Sequence, residues 1–271
     1  MRLWLAALSL ALAVNPSLAA AELDVNGNLI GTSPTSWDTP GDPCGQCTAP
    51  YAILGVDFKG SDLWGITAGG LLYHFATCAV VETVQAQIPG SAYGLGYDSG
   101  RDLWIITSPQ TDRVYQVDLS GAVVNSWATP GAGPVGAAYD ATRDLYWITD
   151  FALAQIYSVD PDTGLPGAVI NVPAGSRIAG TGYNAGADVL IYNGRDQAMS
   201  YCISAASGQL LYSFPVPLGG DNNGQGVGCD PATGNAWLAH FEQPFLFCVE
   251  SCGGPTPVSP ATWGTIKSLY E

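Results

Sequence analysis

The sequence predicts an all-β fold, a five-bladed β-propeller whose N-terminal strand closes the last blade, followed by a short C-terminal helical tail. Three observations predict it. A motif recurs with a period in the forties, each copy divides into four strand-like runs, and the run missing from the last copy stands at the start of the array.

The second copy reads Gly94-Leu95-Gly96-Tyr97-Asp98, then Asp102-Leu103-Trp104-Ile105-Ile106-Thr107, then Val114-Tyr115-Gln116-Val117-Asp118. The third reads Gly136-Ala137-Ala138-Tyr139-Asp140, Asp144-Leu145-Tyr146-Trp147-Ile148-Thr149 and Ile156-Tyr157-Ser158-Val159-Asp160. Weaker copies follow around Gly180 to Ile203 and Gly226 to Val249, and an earlier one runs from Tyr51 to Phe75. One aromatic position, Tyr73, Tyr115, Tyr157, Tyr201 and Phe247, recurs at intervals of 42, 42, 44 and 46 residues. The runs lack the 3.6-residue apolar period of a helical repeat, which leaves a four-stranded blade as the unit.

In each copy strand a is rich in Gly and Ala, because the innermost strands of a small ring converge on its axis. Strand b carries the Asp-Leu-Trp type of run and strand c the Val-Tyr-x-Val run. Strand d is represented by Ala122 to Trp127 and Gln209 to Phe214. Turn residues such as Ser99-Gly100, Asp162-Thr163-Gly164 and Ser207-Gly208 separate them. Asp160-Pro161-Asp162-Thr163-Gly164 lacks the spacing of a calcium loop and reads as a turn. The tryptophans Trp64, Trp104, Trp147 and Trp237 recur in or beside strand b and are assigned to blade-to-blade packing.

The fifth copy stops after strand c. Residues 23–37, through Leu23-Asp24-Val25 and Ser36-Trp37, resemble the c–d stretch from Val117 to Trp127. They are therefore expected to supply the outer strand of the last blade and so remove an open sheet edge. From Trp37 to Phe58 the connection is longer than its counterpart from Trp127 to Tyr139. Its insert, Cys44-Gly45-Gln46-Cys47, is expected as a locally stapled, rigid lip on the ligand face.

The G-[LAT]-[GA]-[YC]-[DN], D-L-W-[IG]-I-T and [VI]-Y-x-V-D strings resemble the NHL, streptogramin-lyase and YncE group of β-propellers over about residues 23–252. The resemblance implies that ligands bind on the face carrying the b–c and d–a loops. It also implies, for lyase relatives, a histidine and glutamate acting with a divalent metal. On that face the sequence offers Asp112, Asp150, Arg195, Asp196, His240 and Glu242 as ligand-binding candidates, with Asp42, Arg177 and Asp221 on the d–a connections.

Composition narrows the function. Hydrophobic residues make up 47% of the 271 and charged ones 11%, which excludes disorder. Eight basic residues against 23 acidic ones give a formal charge of −15, which excludes an electrostatic footprint for nucleic acid. Residues 1–21 combine Arg2, an apolar run from Leu3 to Val14 and small residues at Ser17-Leu18-Ala19, the pattern of a cleaved secretory leader. No later stretch is apolar for long enough to span a bilayer. The protein is thus expected to be secreted, to the extracellular space, cell surface or periplasm. Its domains are expected to be a leader (1–21), a propeller (22–252) and a linker with an amphipathic tail (253–271).

Seven cysteines in an exported chain point to disulfides, with at least one thiol left over and the connectivity open. Cys44 and Cys47 are expected to pair locally; no second CxxC or histidine pair accompanies them for zinc.

No G-x-S-x-G, P-loop or H-E-x-x-H string is present. Of the two histidines, His74 falls within strand c and only His240 reaches the ligand face. No residue is therefore assigned as catalytic and no cofactor is assigned. The leading expectation is a non-catalytic binding or cell-surface module with a protein or glycan ligand. The alternative is a metal-assisted lyase or hydrolase using His240 with Glu242 or Asp150. In the tail, Trp263, Ile266, Leu269 and Tyr270 share one helical face. That face would dock on the propeller, meet a partner or mediate self-association.

Overall fold

The computed structural model describes residues 43–172, 177–195, 199–216, 224–241 and 243–250, all within the compact unit Pro40–Glu271. The expected leader, residues 23–37 and the tail lie outside them. The described residues form five four-stranded antiparallel sheets, and no helix among them is long and apolar enough to cross a membrane. The first strand, β1 (Pro43–Thr48), belongs to the last sheet.

Blade 1 is β2 (Gly55–Lys59), β3 (Asp62–Ile66), β4 (Leu71–Ala76) and β5 (Ala79–Gln85). Blade 2 is β6 (Leu95–Asp98), β7 (Leu103–Ser108), β8 (Arg113–Val117) and β9 (Val123–Ala128). Blade 3 comprises β10 (Pro134–Asp140), β11 (Leu145–Asp150), β12 (Gln155–Val159) and β13 (Pro166–Asn171). Blade 4 comprises β14 (Ile178–Asn184), β15 (Val189–Gly194), β16 (Met199–Ser204) and β17 (Leu210–Pro215). Blade 5 runs β18 (Gly224–Cys229), β19 (Ala236–His240) and β20 (Phe245–Val249), with β1 as its outer strand.

The inner strands close on one another through glycine. A Cβ on Gly94 would stand 2.7 Å from Gly136 Cα, and one on Gly136 would stand 2.8 Å from Gly180 Cα. The series continues from Gly180 to Gly226 Cα at 2.5 Å and from Gly226 to Gly55 Cα at 2.7 Å; Gly55 returns to the Leu95 nitrogen at 2.4 Å. Those approaches leave no room for any side chain, which explains the small residues of strand a.

The core is five separate wedges, one between each pair of neighbouring blades. Trp64 and Trp104 fill the wedge between blades 1 and 2, and Trp147 that between blades 3 and 4. Trp147 is not the counterpart of Trp104. Tyr146 faces Tyr139 as Trp104 faces Tyr97, so Trp147, one residue on, points to the opposite side of its blade.

Closure by an N-terminal strand occurs, and among the described residues the strand that provides it is 43–48. Strand β1 pairs antiparallel with β20, Gly45 opposite Cys248 and Thr48 opposite Phe245. The expected Cys44–Cys47 clip is absent, and so is the lip. Three residues apart on an extended strand, the two Cα atoms are about 10 Å from each other, beyond disulfide reach. Cys44 instead bonds to Cys248 of its own blade, and Cys47 to Cys78 at the β4–β5 turn of blade 1. The closing strand is stapled to its own blade and to the next one. Cys202 is disulfide-bonded as well, and Cys229 is a free thiol whose burial pushes its pKa far up.

The face carrying the a–b turns is stitched by charge. Asp102, Asp144 and Asp188, all at positive φ, precede their b strands. Each accepts a hydrogen bond from the tyrosine of its own blade (Tyr97, Tyr139, Tyr183) and an ion pair from the blade before. The partners are Lys59 at 3.2 Å, Arg101 at 2.7 and 3.0 Å, and Arg143 at 2.7 and 2.6 Å. Arg101 also reaches the fully buried Asp98, which takes a 2.6 Å hydrogen bond from the Tyr146 hydroxyl. Arg143 similarly reaches buried Asp140 at 2.6 Å. Hydrogen bonds from Arg101 and Tyr139 hold Asp144 below the usual carboxylate range, and Arg143 does the same for Asp188.

Asp57 of β2 behaves in the opposite sense. Its carboxylate accepts the Tyr97 backbone N–H at 2.7 Å from the neighbouring inner strand, and burial raises its pKa to about 7.

Two outcomes are expected. Gly180→Ala should cost on the order of 2–4 kcal/mol by forcing inner strands apart. Gly69→Ala, whose Cβ would meet only Thr67 Oγ1 at 3.9 Å, should be close to neutral; urea unfolding of both checks this. Unfolded Asp57 titrates near 3.8, so the folded chain holds the extra proton between there and about pH 7. This carboxyl therefore withdraws stability as pH rises through that window. Asp57→Asn should raise the melting temperature at pH 8 and leave it nearly unchanged at pH 4, as read by thermal melts at both.

Candidate functional site

Strand alternation places the loops after every b strand and after every d strand on one face. The b–c loops there are short, so the last residue of each b strand sits beside them. Asp150 ends β11 opposite Pro134, and His240 ends β19 opposite Gly224; the two are equivalent positions, as their place in the repeat implies. Both are buried.

Burial decides what each can do. Asp150 accepts the Leu153 N–H at 2.8 Å on Oδ1 and the Gly133 N–H at 3.2 Å on Oδ2. The preceding loop wraps it so closely that a Cβ on Gly131 would stand 2.2 Å from Oδ2. Its charge, added to burial, pushes the Tyr157 hydroxyl well above its ordinary pKa. Asp150 thus ties two loops together. His240 accepts the Gln243 N–H at 3.2 Å on Nδ1, and its ring lies 6.2 Å from that of Phe245.

Asp112 sits at positive φ in the β7–β8 turn, exposed, with its carbonyl accepting both the N–H and the hydroxyl of Thr129. Arg113, next to it, is turned onto Ser126 of its own blade. Asp196, Glu242, Asp42 and Asp221 lie outside the described residues. Among the described residues no three His, Cys, Asp or Glu side chains gather as a metal set.

What the fold does gather is cationic and aromatic. Arg195, in the β15–β16 loop of blade 4, has its guanidinium carbon 5.2 Å from the ring centroid of Phe151, in the β11–β12 loop of blade 3. It is 5.7 Å from the centroid of Phe241, in the β19–β20 loop of blade 5. Arg177, just before β14, lies over the same Phe151 ring at 5.3 Å, and its carbonyl accepts the Arg195 N–H at 2.6 Å. Loops of three consecutive blades therefore converge on two guanidinium groups and two phenyl rings, contacts that strengthen as water is excluded.

Of the six residues expected to bind ligand, Asp112, Asp150, Arg195 and His240 are described, and of these four the structure brings only Arg195 into this cluster. Phe151, Arg177 and Phe241 complete it. A usable signal was present in composition: of so few basic residues, two fall in loops of the same face, each within reach of a loop phenylalanine.

These features define a five-bladed β-propeller with a cation–aromatic cluster on its b–c/d–a face. No protein-family model matches the chain, and no curated protein is similar to it in sequence. Among solved structures it is similar to the glutaminyl cyclase of Myxococcus xanthus, with a TM-score of 0.62 and 14% identity over 76% of this chain and 94% of that one. It is also similar to virginiamycin B lyase from Staphylococcus aureus, with a TM-score of 0.48 and 14% identity over 73% of this chain and 66% of that one. At such identity the likeness describes the fold.

Asp150→Ala removes the acceptor of two backbone N–H groups, that of Gly133 buried and that of Leu153 part-buried, and should cost on the order of 1–3 kcal/mol. Asp112→Asn, exposed and compatible with positive φ, should stay within about 0.5 kcal/mol. Chemical denaturation of the two variants separates the loop tie from the surface carboxylate.

Proposed function

We propose that this protein is an exported β-propeller that binds a ligand on its b–c/d–a face without transforming it. The observation that carries the reading is the Phe151–Arg177–Arg195–Phe241 cluster, built from loops of three blades. Exposed loops held by a rigid scaffold are where binding residues concentrate. Phe151, Arg195 and Phe241 are half-buried and Arg177 is exposed, and aromatic and arginine side chains are the residue types that dominate binding hot spots. Asp150, one of the two carboxylates that a hydrolytic site could pair with His240, already has both oxygens on backbone N–H groups, and the other, Glu242, lies outside the described residues. Export is supported by the leader-like first 21 residues together with the two disulfides on the closing strand.

That a structurally similar propeller is a glutaminyl cyclase does not transfer a reaction, because one fold carries many chemistries.

The test is an array of short peptides and oligosaccharides probed with the full-length protein, followed by recovery of each hit. Saturable binding is expected, weakened about tenfold or more by Phe151→Ser combined with Phe241→Ser in protein that melts normally. Mass spectrometry should return the ligand unchanged. A hit that is consumed with time, and spared by His240→Ala, would instead establish the metal-assisted enzyme reading.

A further inference from the structure

We infer that the Arg195 guanidinium is the receptor for a single carboxylate presented by a peptide of neutral or positive net charge. The inference rests on the binding-face reading above and names the chemistry that face selects.

The first support is the environment of Arg195. Arginine stays charged and offers five N–H donors in a planar fork that matches the two oxygens of a carboxylate. Here the rings of Phe151 and Phe241 lie against that group at 5.2 and 5.7 Å. They hold the side chain in place and lower the local dielectric, without using any of its donors as a carboxylate would.

The second is the contrast with the other cations. Lys59, Arg101 and Arg143 each engage one or more carboxylates, and Arg113 is hydrogen-bonded to Ser126. In a chain with 23 acidic residues against eight basic ones, carboxylate partners are plentiful. Arg195 nevertheless makes its close contacts with two phenyl rings and takes no ion pair among the described residues.

The whole-molecule charge then selects the carrier. A formal charge of −15 repels polyanions such as polyuronates or sulfated chains at long range. One carboxylate on a neutral or basic peptide satisfies both fields, because the carrier is drawn in by the acidic surface and the carboxylate by Arg195. The peptide's chain terminus and an aspartate or glutamate side chain offer the same group.

The experiment uses the full-length protein and four fluorescent probes at low ionic strength. They are a lysine-containing dodecapeptide with a free C-terminal carboxylate, its amidated twin without any carboxylate, an amidated twin with one internal glutamate, and a galacturonate oligomer. Bulk attraction to an acidic protein favours the amidated twin, which carries one more net positive charge. A preference for a carboxylate-bearing peptide therefore reports the local receptor.

At least one carboxylate-bearing peptide is expected to bind about tenfold or more tighter than the amidated twin. Arg195→Gln should erase that difference while leaving the melting temperature unchanged; whichever carboxylate peptide binds identifies the source. Equal binding of the twins, a difference that survives Arg195→Gln, or no binding at millimolar peptide would overturn the inference. So would a preference for galacturonate. Binding of the carboxylate-free twin that is lost in the double phenylalanine variant but indifferent to Arg195→Gln would sink the carboxylate assignment and leave the binding face intact.

Discussion

Backbone-to-backbone contact around the axis is the constraint on which the remaining structure depends. Gly55, Gly94, Gly136, Gly180 and Gly226 bring the five inner strands to distances at which a single methyl group would collide with a neighbouring Cα or backbone nitrogen. Once those strands touch, the blades splay outward and the gaps between them widen. Larger side chains, among them Trp104, Tyr146, Tyr192 and Phe214, fill those gaps as five wedges. Small residues inside and bulky ones further out are one solution to one geometric problem.

A ring must also be closed, and this one is closed by a strand that is distant in sequence from its partner. The Cys44–Cys248 bond spans 204 residues, so it restrains a very large loop in the unfolded chain. Cys47–Cys78 carries the same strand onto the adjoining blade. The covalent links sit where the hydrogen-bonded ladder alone would be weakest, at an outer strand with only one neighbour in its sheet.

Charge is divided between the two faces. On the a–b side, lysine and arginine of one blade meet aspartate of the next, and buried Asp98 and Asp140 are fully hydrogen-bonded, so cations there hold blades together. On the b–c/d–a side Arg177 and Arg195 lie against the Phe151 ring. The few basic residues are thus put to different uses on the two faces.

The amino-acid sequence by itself determined the class of fold, the number of blades and the N-terminal closure. These follow from local period and alternation, which repeat in every copy and survive divergence of single positions. It also placed Asp150 and His240 at equivalent positions, because register propagates along strands. Contacts between loops of different blades carry no such period. Only tertiary structure decided that 43–48 is the closing strand, that Cys44 bonds to Cys248 and Cys47 to Cys78, and that Phe151, Arg177, Arg195 and Phe241 meet. Each depends on where a residue on one blade lies relative to a residue on the next, a distance that no spacing along the chain encodes.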